Sequence, residues 1–315
     1  MAESSHSEPP PRVRPDRPTV IYVMGAGHSG STILGVALGN CEDFVFTGEL
    51  DRWLPRSGVP QFGGSERARF WSTVSDQVDG AADLFGDEAR RCIERSSSLF
   101  RLGSWRARRR LRKRYRRVTE DLLRAIARAS GATHIVDTSH FPLRARELQA
   151  LGGIDLFLVL LIRDPRSVVA SYTKPVNRHA VAERRVRILT KNADLWLTYL
   201  LSVFVFLCQP RDRRLFLRHE DFVADPEGVL RDVLDRVGSR AAIPDLTSLE
   251  IGFPIQGNRL LWSETVALKR EPVSPVRGSR VTGLLQLPWS PVFARLKPAA
   301  RASGSRVNAS TSESR

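Results

Sequence analysis

The stretch from Val20 to Leu34, Val-Ile-Tyr-Val-Met-Gly-Ala-Gly-His-Ser-Gly-Ser-Thr-Ile-Leu, constrains this chain more than any other. Its β-branched and aromatic beginning predicts a buried strand, a glycine-rich turn follows, and an apolar helix starts at Ser31-Thr32. The glycines let the backbone turn tightly and approach a ligand with no Cβ in the way. The N–H groups of Ser29 to Thr32 then point outward at a helix N-terminus, where partial positive charge gathers an anion. Strand, loop and helix start read together as a phosphate cradle; the alternative is a plain glycine turn joining strand to helix.

The spacing from Gly25 to Gly30 with Thr32 behind it fits the Walker A pattern, but Ser31 stands where that pattern has lysine. A kinase or NTPase of that class sets the lysine on the β- and γ-phosphates and needs a Mg²⁺ site. A nucleotide with a single 5′-phosphate group needs no such lysine. The loop therefore favours a donor such as 3′-phosphoadenosine-5′-phosphosulfate (PAPS), with a P-loop kinase or NTPase as the rival enzyme.

At 315 residues the chain is long enough for one large α/β domain or two small ones. Its net charge of +15 is unevenly placed, because residues 101–117 hold ten Lys/Arg and no acid. The high pI is thus a local feature, and a polyanion binder built on that segment is the rival from a different class. No nucleic-acid partner is expected. Cys41, Cys92 and Cys208 are few and widely spaced, which gives no disulfide framework and no metal site. Met1 to Arg17 lacks the apolar core of a signal peptide. The longest apolar run, Leu195 to Cys208, is short for a bilayer and reads as a buried core helix. The expected compartment is the cytoplasm.

Residues 1–17 and 298–315 read as disordered tails around one domain spanning 18–297. A strand ends at Phe44-Val45-Phe46-Thr47-Gly48-Glu49, placing a carboxylate just past a strand tip. Residues 52–130 read as an insertion or cap, in which Trp53, Phe62, Phe70, Trp71 and Phe85 line an acceptor pocket or form a small core of their own. Within it, 105–129 predicts one long helix, basic in its first half and amphipathic in its second, stopped by Gly131. The basic half reads as a solvated face, with an anionic partner as the alternative. His134 to His140 is a short strand with a polar end. Phe157 to Ile162 is an unbroken apolar run of the kind central parallel strands show. It leads into Arg163-Asp164-Pro165 and a helix, then a helix over about 183–208, a strand at Leu215 to Leu217, and a helix opened by Asp225-Pro226. Strands and helices alternating at these lengths predict an α/β fold with a parallel sheet and right-handed crossovers.

Arg163 ends a buried strand, and Ser171 follows eight residues on, two turns into the next helix. A guanidinium and a hydroxyl so placed can grip one phosphate from two sides. The competing reading is a helix-capping ion pair of Arg163 with Asp164 or a neighbour. With the glycine loop, the ordered pieces Gly27 to Thr32, Gly48-Glu49, Asp137 to His140, Arg163 to Ser171, Arg218 to Asp221 with Asp225-Pro226, and Gly257-Asn258-Arg259 resemble the PAPS-dependent sulfotransferase family.

The resemblance implies a three-layer α/β sandwich with a central parallel sheet, similar to P-loop-containing nucleotide hydrolases. It implies PAPS as donor, no metal, and transfer to a hydroxyl on a small molecule, glycan or lipid. Gly27, His28, Ser29, Gly30, Ser31 and Thr32 take the 5′-phosphosulfate by this likeness. Arg163 and Ser171 take the 3′-phosphate, and Gly257, Asn258 and Arg259 form a late loop over the donor phosphates. Glu49 resembles the general base, with a surface pair to Arg52 as its alternative. His28 replaces the family's usual lysine or arginine; near two phosphates its imidazole would favour the protonated form. His140, or less favourably Ser139, stands in for a lysine that relatives place after this strand. His219 occupies the place of a tyrosine near the adenine, leaving that stacking contact open. Oligomeric state is not legible.

Overall fold

β-Branched and aromatic residues with no interrupting polar group make Thr19–Gly25 a central strand, β1. The computed structural model describes residues 17–173, 181–268, 270 and 279–296, with no side chains for 181–185. After β1 come α1 (Ser31–Gly39), β2 (Phe44–Gly48), α2 (Ser65–Ser75), α3 (Leu102–Ser130), β3 (His134–His140), α4 (Pro142–Leu148) and β4 (Asp155–Ile162). They are followed by α5 (Pro165–Tyr172), α6 (Val181–Cys208), β5 (Arg214–Arg218), α7 (His219–Ala224), α8 (Pro226–Arg236), β6 (Leu249–Glu250), β7 (Thr265–Val266), α9 (Arg280–Gln286) and α10 (Trp289–Leu296). The expected tails, 1–17 and 298–315, lie outside the described residues except for Arg17.

The five long strands form one parallel sheet in the order β2-β3-β1-β4-β5. Side chains alternate along β1 and split the core in two. Val20, Tyr22 and Met24 join the cluster under α3, α4 and α6, while Ile21 and Val23 join the cluster under α1 and α8. The chain leaves β1 toward β2 and β3, then crosses to β4 and β5 on the other side. Ligands in such open sheets collect at the strand ends where that reversal occurs, here between the tips of β3, β1 and β4.

Two expectations change. Residues 52–130 do not enclose a separate core: Trp53, Phe70 and Trp71 are buried in the cluster that contains Val20 and Tyr22 of the sheet. Phe62 is buried in the opposite cluster, and Phe85 is partly exposed. These aromatics hold the segment onto the sheet. The apolar run at 195–208 is buried on one face only. Leu195, Tyr199, Val205 and Phe206 enter the core, whereas Leu200, Phe204 and Leu207 face outward. The stretch Val186–Cys208 is long and apolar enough to cross a bilayer by length and composition, but its buried residues, about a third of it, pack against the core on the sheet.

The basic half of α3 is sorted by side. Arg112 and Arg116 donate to the buried Glu147 of α4 at 2.8 and 2.7 Å, and Arg108 approaches the same carboxylate. Arg110 pairs with Glu88 and Arg114 with Asp83. The remaining cations, together with the exposed pairs of Arg110 and Arg114, fit the expectation of a solvated face.

Candidate active site

The loop between β1 and α1 is packed from behind. A Cβ on Gly27 would run into the hydroxyl of Tyr172, and one on Gly30 would run into the imidazole of His219. Gly30 also has φ near +91°, a conformation few side chains tolerate. With its rear face filled, the loop turns its open side to the sheet end. No side chain caps α1, so the N–H groups of its first turn, from Ser31 and Thr32 onward, are left for a ligand. His28 is held at φ near +63°, its ring 4.4 Å edge-on from that of Tyr172.

Arg163 leaves the tip of β4 and donates from Nη1 to the carbonyl oxygen of His28 at 3.1 Å. The capping pair that competed for it is made by another residue. Arg166 donates to both carboxylate oxygens of Asp164, at 3.2 and 2.8 Å, and its backbone N–H is capped by the same side chain. Asp164 in turn donates its own N–H to Glu220. Arg163 is thereby left to the loop. Ser171 lies half-buried near the C-terminal end of α5.

His219 sits behind Gly30 with its Nδ1 buried and unpartnered. Burial, and then the neighbouring Arg163 charge, push its pKa down to about 4, so the ring is neutral at pH 7. Its place is behind the glycine loop. Tyr172 and this role of His219 are what sequence reading missed. Tyr172 directly follows Ser171, but only the tertiary fold shows that its hydroxyl reaches Gly27.

Glu49 lies two strands away, just past β2. Its N–H donates to the carbonyl of Gln256 at 2.9 Å. Burial and the adjacent Asp51 raise its pKa to about 7, against the lowering pull of Arg52. Arg52 approaches the carboxylate to 3.8 Å, so the expected pair exists but is loose. His140, at the tip of β3 opposite Met24, has φ near +56° and lies against Phe141. Burial is the largest influence on it and lowers its pKa, which makes it a neutral hydrogen-bonding group rather than a replacement cation. Ser139 is committed elsewhere: its hydroxyl donates to Asp137 and accepts the N–H of Asp51.

Beneath Glu49 and His140 runs a buried charged network. Arg144 bridges Asp137 and Glu94 and touches the hydroxyl of Tyr115, while Arg90 pairs with Asp51. It ties the tips of β2 and β3 to residues 90–94 and to α3. Gly257, Asn258 and Arg259 fall on the Glu49 side, where Gln256 lines the end of β2. Asn258 caps the short turn beginning at Arg259, which is exposed. No described contact joins these three residues to Arg163 or Ser171. Among the described residues no cluster of metal ligands occurs.

A family model described as "Sulfotransferase family" matches residues 18–242. No curated protein matches the chain in sequence. Among solved structures, the sulfotransferase domain from the curacin biosynthetic pathway aligns with a TM-score of 0.51 at 15% identity, covering 87% of this chain and 98% of that one. The sulfotransferase domain from the Synechococcus PCC 7002 olefin synthase aligns with a TM-score of 0.47 at 18% identity, covering 88% and 97%.

Proposed function

The chain belongs to the sulfotransferase family, and from that premise we propose that it moves a sulfuryl group from PAPS to a hydroxyl acceptor. The observation that carries the reading is the hydrogen bond from Arg163 to the carbonyl of His28. It sets the arginine beside the glycine loop, which supports two anion anchors within reach of one doubly phosphorylated nucleotide. The residues present fit that donor. The loop is a cradle closed behind by Tyr172 and His219, open at its amides, and without the lysine that a triphosphate would call for.

When bound, PAPS supplies an activated sulfuryl group and leaves as adenosine 3′,5′-bisphosphate. The amides from Ser29 to Thr32 hold the 5′ end, and Arg163 with Ser171 holds the 3′-phosphate. Glu49 takes the proton of the attacking hydroxyl at its carboxylate, with a pKa close to working pH as general base catalysis favours. His28, steadied by Tyr172, serves the leaving phosphate. His140 orients the transferring group through a neutral hydrogen bond. Preorganised groups of this kind act without reorganising at the moment of reaction. Gly257, Asn258 and Arg259, the late loop that the resemblance sets over the donor phosphates, follow Gln256 beside Glu49.

Thermal-shift titration with adenosine 3′,5′-bisphosphate and with ATP plus Mg²⁺ tests the donor, and transfer from labelled PAPS across an acceptor panel tests the reaction. Stabilisation by the bisphosphate at lower concentration than ATP is expected. A preference for ATP with Mg²⁺ would overturn the reading in favour of a kinase.

A further inference from the structure

Ten cations crowd residues 101–117, and the fold divides them. Those facing α4 and residues 83–94 are neutralised by Glu147, Glu88 and Asp83. Leu102, Arg106, Arg109, Lys113 and Arg117 recur every three or four residues, opposite the buried face of α3. Among the described residues these four cations make no ion pair, and Leu102 is 83% exposed. Trp105 and Phe100 are exposed at the same end of the helix.

A second stripe runs down α6. Val186, Leu189, Ala193, Leu200, Phe204 and Leu207 recur along one face, opposite the buried Leu195, Tyr199 and Phe206; Trp196, between them, is partly covered, donating to the carbonyl of Leu285 at 2.8 Å with its ring 4.8 Å from that of Trp289. Leu200, Phe204 and Leu207 are 56%, 61% and 52% exposed. The stripe is about 32 Å long at 1.5 Å per residue. A soluble helix normally turns polar residues outward here.

The two stripes look out from one side of the sheet. α3 and α6 share a core cluster, and α4 bridges them, taking Arg112 and Arg116 on Glu147 and donating from Gln149 to the carbonyl of Val205 at 3.0 Å. The outward residue of α4 between them, Arg146, is another exposed cation. We infer that this face docks on an anionic lipid bilayer, the α6 stripe entering the acyl boundary and the α3 stripe lying at the headgroups. Charge selects this occupant. A second copy would have to press its own basic surface close to this one, and a nucleic acid would gain nothing from the apolar stripe. An anionic bilayer satisfies both halves at once. The protein lies on the membrane without spanning it, since the opposite face of α6, with Leu195, Tyr199, Val205 and Phe206, is core.

Co-sedimentation of the full chain with vesicles tests this. Binding is expected to vesicles of phosphatidylcholine mixed with phosphatidylglycerol, and to be much weaker to phosphatidylcholine alone. Replacing Arg106, Arg109, Lys113 and Arg117 together by Gln should lower the partition constant at least about tenfold, as should Leu200→Ser with Phe204→Ser. Bisphosphate binding should be unchanged in both variants, which shows that they are folded and separates this result from the donor assignment. The inference is overturned by no binding to anionic vesicles, by binding equal in wild type and both variants, or by a dimer in light scattering that Phe204→Ser dissolves. Tight binding to duplex DNA that survives the α6 changes would overturn it too.

Discussion

The two halves of the candidate site are built on opposite principles. The β1–β4 side is built from backbone amides, glycines and one arginine, with the rings of Tyr172 and His219 behind them. On the β2–β3 side, Glu49 and His140 rest on a buried lattice of carboxylates and guanidinium groups that reaches α3. A bound anion brings its own charge, so the first half needs only oriented dipoles. A carboxylate that must accept a proton needs its pKa held near neutrality, which takes burial and fixed charges drawn from distant parts of the chain.

The largest effect that would sharpen this contrast is Glu49→Gln, expected to lower kcat about 10²- to 10⁴-fold with bisphosphate affinity nearly unchanged. A comparable loss of affinity would mean that the halves are coupled, and titration calorimetry beside labelled-sulfate transfer reads both. Arg144→Met removes the hub of the buried lattice and strands Asp137 and Glu94. It should destabilise the fold by about 3–5 kcal/mol in urea unfolding. Arg163→Ala should do the reverse, leaving the urea midpoint almost unmoved while weakening bisphosphate binding by about 1.5–3 kcal/mol, roughly ten- to a hundredfold. If Arg163→Ala lowers the midpoint instead, the arginine is a structural strut and the contrast fails.

Two smaller effects refine it. With Glu49 as the proposed base, working as the carboxylate, and its pKa raised to about 7, kcat should climb through that pH and level off above it. The same shift means that folding favours the protonated form. Its stabilising contribution is therefore full below the ordinary value of 4.5 and is lost as pH rises through about 7. Glu49→Gln should accordingly flatten the fall in melting temperature between pH 5 and pH 8, and an unchanged slope would place the shift elsewhere. Ser171→Ala should weaken the bisphosphate by about 1 kcal/mol, some fivefold, and no change would take the hydroxyl out of the donor site.

This contrast also explains what could be read from the sequence. β1, its loop and α1 are contiguous, so the strand, glycine turn and helix start were legible from Val20 to Leu34, and so was the helix that follows Arg163. The apolar run of β4 fixed its place at the sheet centre, although the strand begins earlier, at Asp155. The lattice under Glu49 is assembled from Asp51, Arg90, Glu94, Tyr115, Asp137 and Arg144, scattered over nearly a hundred positions with no period, and nothing local marks them as partners. The same reason hid the division of charge on α3, because its outcome depends on where Glu147 of another helix arrives. Trp53 and Trp71 were legible as apolar but not as sheet-facing, since their partners lie far along the chain.

His28 and His140 share a left-handed backbone, at φ near +63° and +56°, that glycine or asparagine would adopt more comfortably. Substituting glycine at either position should relax the main chain and raise heat resistance while emptying the site of an imidazole. A library sorted for thermal survival alone would then drift toward glycine at both positions, and its hardiest members would be the slowest catalysts.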